Sequence, residues 1–336
     1  MRCGRSATVL VTAVLAVLAA VLTGCSSGGE DTAGTAPAPA ASGTFPVTVP
    51  TAFGDVTIPA PPRRVVALGW SDAETALALG VQPVGASDWL AVGGDGLGPW
   101  VPQRYTAAPA RVGTLEVDLE AVAALAPDLI LDTRASGTRE RHDQLASLGV
   151  PVVGIPAGGE NYLTPWRDQL RMVGAALGRP AEAAALATDL ENRFRAARDA
   201  HPELAGKTTV SAARNTLGEY SAYAGRSSRV EFLRELGMVN APAIESRPAE
   251  GFSVPVSREQ MTLMDADVTV MQAISGNTAE IDADPLWRAV PSVAAGRGIL
   301  LADKDVSNAF SSASVQGWAF ALDRFVGPLS AAAGRV

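Results

Sequence analysis

The sequence predicts an α/β protein with two lobes joined by a helical connector. Short apolar runs alternate with helical patterns over residues 63–155 and again over residues 207–325. This alternation is typical of a parallel sheet covered by helices. Residues 161–201, between the two regions, carry helical patterns and no strand pattern. These observations predict one sheet on each side of a helical segment.

The first lobe, residues 45–160, begins with a predicted hairpin over Phe45–Pro62. Val65–Leu68 has the apolar run of a strand buried on both faces. The chain then turns, and Ser71 or Asp72 is expected to cap the next helix. The remaining predicted elements of the lobe are helix 73–79, strand 83–86, helix 118–125, strand 128–131, helix 139–148 and strand 151–155.

The connector, residues 161–204, is predicted to contain two consecutive helices. The first is Trp166–Leu177, and the second is Ala181–Ala200, which is rich in strong helix formers and follows a proline. The second lobe, residues 205–336, is expected to repeat the architecture of the first. Its predicted strands are 207–213, 268–271 and 299–301, and its predicted helices are 229–236, 258–264 and 314–325.

Composition indicates a globular protein that does not bind nucleic acid. Of 336 residues, 47% are hydrophobic and 18% are charged, so a sizeable core can form. Acidic residues outnumber basic ones, 35 to 27, which argues against a nucleic-acid partner. His142 and His201 are far apart, and the sequence has no Cys/His spacing of a zinc site.

The first 44 residues predict export and lipid anchoring. Two arginines precede an uncharged run that ends in Leu-Thr-Gly-Cys at Cys25, the layout of a secretory signal peptide. The end of this run resembles the lipobox of bacterial lipoproteins, in which the cysteine carries a diacylglyceryl group. The alternative is a plain transmembrane anchor. We predict a signal peptide over residues 1–24, a flexible tether over residues 25–44, and a location at the cell membrane facing outside the cytoplasm.

Catalytic motifs are weak. Residues 69–73 read Gly-Trp-Ser-Asp-Ala, which lacks the second glycine of the hydrolase motif Gly-x-Ser-x-Gly and has no histidine nearby. The sequence also shows no dinucleotide fingerprint, Walker motif or metal-ligand spacing. We therefore predict a binding protein and not an enzyme.

Short segments spread along the chain carry a family resemblance. They are residues 56–59, 62–68, 74–85, 119–130, 227–233, 267–270 and 286–297. In this order they resemble the iron-siderophore (ferric hydroxamate, ferric citrate and vitamin B12 type) solute-binding proteins of ABC importers, over about residues 45–326. The resemblance implies two Rossmann-like lobes with a ligand cleft between them, bridged by a single long α-helix, which fits Ala181–Ala200.

The same resemblance implies capture of a ferric siderophore and its delivery to an ABC transporter permease. Docking in this family uses one acidic residue on each lobe, and by motif position these are Glu74 and Glu231. An exposed carboxylate on a helix can pair with an arginine of a partner. No cofactor is expected, because the siderophore itself supplies the oxygen ligands of ferric iron. We expect a monomer.

Residues that follow predicted strands are the candidates for contact with the siderophore. Loops at the carboxyl ends of parallel strands hold ligands, and aromatic faces with arginine donors suit a bulky, oxygen-rich chelate. The candidates chosen in this way are Trp70, Trp89, Arg134, Arg214, Tyr220, Tyr223 and Arg226. Trp70 has a counterpart in some ferric hydroxamate binders, whereas Trp287 and Trp318 are assigned to the core.

Two alternative functions stay open on the sequence alone. The same fold can carry a corrinoid or a haem, and Tyr220 or Tyr223 could serve as the axial ligand that haem needs. An alternative of another class is a chelatase-like or hydrolytic α/β enzyme.

Overall fold

The structure is a computed structural model, described here for residues 43–114, 116–274 and 276–336. The predicted signal peptide, Cys25 and nearly all of the tether lie outside the described residues. No helix within the described part of the chain is long and apolar enough to cross a membrane.

The hairpin predicted at the start of the first lobe is confirmed. Strands β1 (Val47–Thr51) and β2 (Gly54–Ile58) pair antiparallel. Val49 and Ile58 are buried, while the threonines that pair across the outer face, Thr48 and Thr57, hydrogen-bond at 3.3 Å. The hairpin therefore lays one apolar face on the lobe.

The first lobe contains a five-stranded parallel sheet in the order β5-β4-β3-β6-β7. Because every pair is parallel, the carboxyl ends of these strands lie along one edge. The strands are β3 (Val65–Ala67), β4 (Gly85–Ala86), β5 (Ala110–Arg111), β6 (Leu129–Leu131) and β7 (Val152–Val153). The helices are α1 (Asp72–Ala78), α2 (Leu119–Ala124) and α3 (Arg139–Ala146). Strand β5 was not predicted, since it has only two residues and both are exposed.

The predicted side-chain cap of α1 is wrong. Ser71 occupies the N-cap position with a left-handed backbone (φ 65°), and its side chain makes no capping bond. The Asp72 carboxylate instead accepts hydrogen bonds from the Thr133 amide, at 2.9 Å, and from the Gln169 side chain, at 2.7 Å. The first residue of α1 thus ties the helix to the end of β6 and to the connector.

The connector consists of α4 (Trp166–Ala176) and α5 (Pro180–Ala200), close to the predicted bounds. Pro180 stands in the first turn of α5, where its missing N–H costs no hydrogen bond. With 21 residues, α5 is about 30 Å long, which is enough to bridge the two lobes.

The second lobe does not repeat the first, so that prediction is wrong. Its sheet is mixed, with the order β11-β9-β8-β12-β13, and β10 pairs with the start of β8. Both β8 with β9 and β9 with β11 are antiparallel. The strands are β8 (Thr208–Arg214), β9 (Tyr220–Tyr223), β10 (Val239–Asn240), β11 (Ser253–Val256), β12 (Val268–Ala273) and β13 (Gly298–Leu300).

The described part of the second lobe has more helices than predicted, and its last helix is longer than predicted. The segment Arg258–Met264 is a 3-10 helix and not an α-helix, and a second 3-10 turn is Pro202–Leu204. The α-helices are α6 (Ser228–Glu235), α7 (Pro242–Glu245), α8 (Thr278–Ala283), α9 (Pro285–Arg288), α10 (Pro291–Ala294), α11 (Lys304–Ser312) and α12 (Val315–Ala333).

One hydrophobic core runs from the hairpin through the connector into the second lobe. Phe232 of α6 lies edge-on to Phe194 of α5, to Phe310 of α11 and to Trp318 of α12, with centroids 5.2–5.4 Å apart. Trp318 and Trp287 are buried, which confirms their assignment to the core. Because α5 contributes to this shared core, it is packed as a rigid strut and not as a free linker.

Candidate functional site

Four half-buried aromatic side chains meet where the two lobes face each other. This cleft aromatic group consists of Trp70 and Trp89 from the first lobe, Tyr162 from the start of the connector and Phe252 from the second lobe. Trp70 stacks on Trp89, with centroids 4.6 Å apart and planes 12° apart, and on Tyr162, at 4.2 Å and 23°. Phe252 presents its edge to Trp70 at 6.2 Å. The group offers a partly exposed apolar surface to which both lobes contribute.

The parallel sheet positions the first-lobe members of this group. Trp70 follows β3, and its amide donates to the Arg134 carbonyl at the end of β6, at 2.8 Å. Gly69 makes this approach possible, since a Cβ there would lie 2.8 Å from the amides of Thr133 and Arg134. Trp89 follows β4 in the same way. The prediction that Trp70 and Trp89 lie together at a strand-end edge is therefore confirmed.

Tyr162 and Phe252 were missed. Tyr162 lies in the loop after β7, so the strand-end rule would have found it had the rule been applied to that strand. Phe252 precedes β11, an antiparallel strand, to which the rule does not apply. The sequence carried no local signal for Phe252.

The tyrosines predicted to line the cleft are buried. The Tyr220 hydroxyl donates to Asp284 at 2.9 Å, and its ring belongs to the core of the second lobe. Tyr223 is also buried, and its ring lies behind Phe252, with centroids 6.3 Å apart. Burial raises the pKa of Tyr220 to about 12, and its hydrogen bond to Asp284 adds to the shift. Neither phenol is presented as a ligand, which corrects the prediction and removes the basis of the haem alternative.

Arg214 and Arg226 lie at the cleft edge of the second lobe, and each contacts a carboxylate. Arg214, the last residue of β8, places Nη1 2.8 Å from Oε2 of Glu280 on α8. Arg226 forms an ion pair with Glu160, which belongs to the first lobe. Arg214 ends β8, and Arg226 follows β9 and contacts the first lobe. Contact of either arginine with a ligand stays a prediction, and their acidic partners were not foreseen.

Arg229, in the first turn of α6, was missed as a candidate. Its Nε donates to the Gln272 side chain at 2.9 Å, and its guanidinium lies over the Tyr223 ring at 4.3 Å. Gln272 in turn donates to Ser307 and Ser311. A cation, an amide and two hydroxyls thus form a polar layer behind Tyr223.

Arg134 is not a cleft residue, contrary to the prediction. It follows β6, but its guanidinium is only 2% exposed. Its Nε donates to the Thr164 carbonyl at 2.9 Å, and Nη1 donates to the Ser312 carbonyl at the end of α11, at 3.1 Å. Arg134 therefore connects the first lobe to the second-lobe turn between α11 and α12.

Three carboxylates surround this guanidinium. Burial lowers the pKa of Arg134 to about 10, while the charges of Glu231, Asp72 and Glu74 oppose that shift. Burial raises the pKa of Asp72 to about 6, against its hydrogen bonds with Thr133 and Gln169. We call these residues the interlobe junction: Asp72, Glu74, Arg134, Glu231, Ser312 and Ser314.

Glu74 was expected to be exposed, and that expectation is wrong. The side chain is 5% exposed. Its carboxylate accepts a hydrogen bond from the Trp100 indole at 3.0 Å and another from the Ser314 hydroxyl. Burial raises the pKa of Glu74, and both hydrogen bonds oppose the shift. A carboxylate enclosed by an indole and by the start of α12 is not presented to a transporter arginine, so Glu74 is corrected from a docking residue to a junction residue.

Glu231 is half-buried on α6 and faces the junction. Burial raises the pKa of its carboxyl to about 7; Arg134 and Arg167 lower it, and Glu235 raises it further. A hydrogen bond with the Trp166 backbone also lowers it. Because Glu231 keeps partial exposure, its docking role stays a prediction.

The site as a whole is suited to binding. It has an aromatic surface shared by two lobes, arginines at its rim and a hydrogen-bonded junction beneath it. Within the described residues, no group of three or more His, Cys, Asp or Glu side chains is arranged to hold a metal ion. Such a site can hold a ligand by stacking and by hydrogen bonds from guanidinium groups.

Comparison with known proteins agrees with the segment resemblance. A family profile described as periplasmic binding protein matches residues 65–304, which is more than half of the chain. The chain is 27% identical over 257 residues to a probable siderophore-binding lipoprotein, YfiY, of Bacillus subtilis, with 71% of this chain and 74% of the relative covered.

Two further proteins are similar. A vitamin B12-binding protein of Salmonella typhimurium is 30% identical over 145 residues, which is 43% of this chain and 48% of that protein. The chain thus spans about half of that relative. The crystal structure of a periplasmic solute binding protein from Mycobacterium smegmatis superposes with a TM-score of 0.74 at 28% identity, covering 86% of this chain and 99% of that one.

Proposed function

This chain belongs to the periplasmic binding protein family, and on that premise we propose that it captures a ferric siderophore outside the cytoplasm and delivers it to an ABC importer. The relative named as a probable siderophore-binding lipoprotein, matched over most of both chains, supports this cargo. The proposed activity is binding without turnover, and it requires no metal ligand from the protein, because the siderophore surrounds the iron.

The cleft aromatic group is the observation that carries the proposal. Trp70 stacks on both Trp89 and Tyr162, with ring centroids at most 4.6 Å apart, and Phe252 completes the group from the second lobe. A ligand that touches this surface touches both lobes. Stacking and edge contacts of this kind suit a bulky, rigid chelate.

The proposal includes attachment to the membrane and recognition by a permease. Cys25 would carry the lipid, and the tether that follows would hold the folded lobes off the surface. The protein would act as a monomer. Glu231 is the acidic residue that remains a candidate for docking.

The test is a binding titration of the purified protein with ferric siderophores, in which affinity is measured by isothermal titration calorimetry. We expect Trp70→Ala to weaken binding about tenfold, because each aromatic pair contributes about 0.5–1.5 kcal/mol beyond the area it buries. Trp70→Phe, which keeps a ring, is expected to retain most of the affinity.

The matched control is Phe320→Ala, which removes a half-buried aromatic ring on α12 and is expected to leave affinity unchanged. If the wild-type protein binds no ferric hydroxamate, catecholate or citrate chelate, the proposed function is wrong.

A corrinoid is the second candidate cargo. The similarity to the vitamin B12-binding protein favours it over haem, since Tyr220 and Tyr223 are buried. Binding of cyanocobalamin in the same titration, without binding of any ferric chelate, would replace the siderophore by a corrinoid.

A further inference from the structure

The arginines on the facing edges of the lobes are neutralised before any cargo arrives. In the second lobe, Arg214 pairs with Glu280, and Arg226 pairs with Glu160 of the first lobe. The Arg214 side chain is 18% exposed. A guanidinium paired in this way keeps its remaining N–H donors but contributes little net positive charge to a ligand.

The first lobe shows the same pairing. Arg141, on α3, bonds Asp132 at the end of β6 through two hydrogen bonds of 2.7 and 3.0 Å. Arg111, at the end of β5, lies 3.2 Å from Asp88, which follows β4. On each side of the cleft, two arginines therefore keep hydrogen-bond donors while a carboxylate balances the charge of each.

Arg229 contrasts with these four arginines. Within the described residues, no carboxylate lies within ion-pair distance of it; its guanidinium contacts the Gln272 amide and the Tyr223 ring. It supplies a single positive charge, located behind Tyr223 and therefore also behind Phe252.

Ferric chelates differ widely in charge. Three hydroxamates neutralise Fe³⁺ and give an uncharged core, whereas three catecholates give a core of charge −3. The charge of Arg229 and the four arginines that are already paired with carboxylates do not balance three negative charges. The chain itself carries a formal charge of −8, which disfavours approach of an anion.

We propose that Glu280 and Glu160 are specificity residues. By neutralising Arg214 and Arg226, they restrict the cargo to ferric chelates without net negative charge, and the ferric trihydroxamates are the class of siderophore that meets this condition. This inference rests on the proposed siderophore function. Hydroxamate carbonyl oxygens accept hydrogen bonds from paired arginines, so affinity for an uncharged chelate does not depend on unpaired cations.

The experiment compares an uncharged ferric trihydroxamate with a ferric tricatecholate of charge −3 on the wild-type protein and on two variants. Glu280→Gln and Glu160→Gln each expose a positive charge at the cleft edge. Each is expected to raise affinity for the tricatecholate about tenfold at low ionic strength and to leave affinity for the trihydroxamate within about threefold. The gain is expected to shrink at high salt, because charges exposed to solvent are screened.

The matched control is Asp199→Asn, which makes the same change in net charge at an exposed position near the end of α5. It is expected to change neither affinity. If it raises tricatecholate affinity as much as Glu280→Gln does, net charge and not local pairing sets the preference, and the roles of Glu280 and Glu160 are refuted.

The outcomes separate this inference from the function on which it rests. Wild-type protein that binds the tricatecholate as tightly as the trihydroxamate overturns the charge preference and leaves siderophore binding intact. Wild-type protein that binds neither chelate, nor ferric citrate, overturns the proposed function and this inference with it. Thermal unfolding of each variant shows whether a loss of binding reflects a loss of folding.

Discussion

Trp70 of the cleft aromatic group and Glu74 of the interlobe junction are four residues apart in the chain, and yet they lie in opposite environments. Trp70 stacks in a half-buried group that faces the other lobe across a cleft. Glu74 lies in a buried contact where hydrogen bonds link α1 to the start of α12. The first region is the proposed ligand surface, and the second joins the lobes.

In this protein, the aromatic and the polar residues between the two lobes have separate roles. At the aromatic group, contacts between the lobes are ring edges and an exposed ion pair, which contribute little to the free energy of unfolding. At the junction, the contacts are buried hydrogen bonds to a guanidinium and a carboxylate, which are costly to break. We therefore expect substitutions in the junction to reduce stability and substitutions in the aromatic group to reduce affinity.

The largest expected effect is that of Arg134→Met. This change removes the donor to the Thr164 carbonyl and one of two donors to the Ser312 carbonyl, which also accepts from the Ser71 hydroxyl. It also removes the cation from among three carboxylates. The free energy of unfolding is expected to fall by about 3–5 kcal/mol, measured by urea denaturation.

Arg139→Met is the control for that prediction. Arg139 is exposed on α3, 3.8 Å from Asp143, and its removal is expected to change stability by less than about 0.5 kcal/mol. Equal stability of the two variants would show that the junction does not hold the lobes together.

A smaller effect is expected for Glu74→Ala. The substitution deprives the Trp100 indole and the Ser314 hydroxyl of their buried acceptor, which costs about 1–3 kcal/mol of unfolding free energy. Glu74→Gln, which keeps an acceptor oxygen, is expected to lose less. Siderophore uptake by cells that is lost in Glu74→Ala without any loss of stability would instead return Glu74 to a docking role.

The smallest expected effect is a dependence of stability on pH that arises from Glu231. Burial raises the pKa of its carboxyl from 4.5 to about 7, so the folded state holds this proton more tightly than the unfolded state does. The contribution is complete below the unfolded pKa and is lost as the pH rises through about 7. Asp72, with its pKa raised to about 6, acts in the same direction.

Unfolding measured between about pH 5 and pH 8 tests this dependence. Because Glu231 is partly exposed, we expect it to contribute about 1–2 kcal/mol of the decline. Glu231→Gln is expected to flatten the profile, and Glu250→Gln, at an exposed position, is expected to leave it unchanged. If the free energy of unfolding depends on pH with the same slope in the wild-type protein and in both variants, the Glu231 carboxyl is exposed to solvent and this prediction is wrong.

The sequence predicted the parts of this protein that depend on local pattern. The apolar run over Val65–Leu68 and the proline that opens α5 each reappear in the structure. The strand-end rule located Trp70 and Trp89 for the same reason: parallel strands place their carboxyl ends on one edge, whatever the rest of the chain does.

Prediction failed where a side chain depends on residues distant in the chain. Tyr220, Tyr223 and Arg134 follow or occupy strand ends, but whether a side chain there faces the cleft or the core depends on strand direction and on neighbouring elements. The antiparallel β8–β9 pair reverses the rule for the tyrosines.

What the sequence by itself determined is the class of fold, its family and the strand-end edge on which the first-lobe tryptophans lie, because periodicity, caps and ordered segments are local signals. The tertiary structure alone decided that Glu74 is buried, since Trp100 lies 26 residues away and Ser314 lies 240 residues away. It also decided that Arg214 and Arg226 carry acidic partners, 66 residues distant in each case. The charge that a cleft presents is the sum of such long-range pairs, and it exists only after the lobes have folded together.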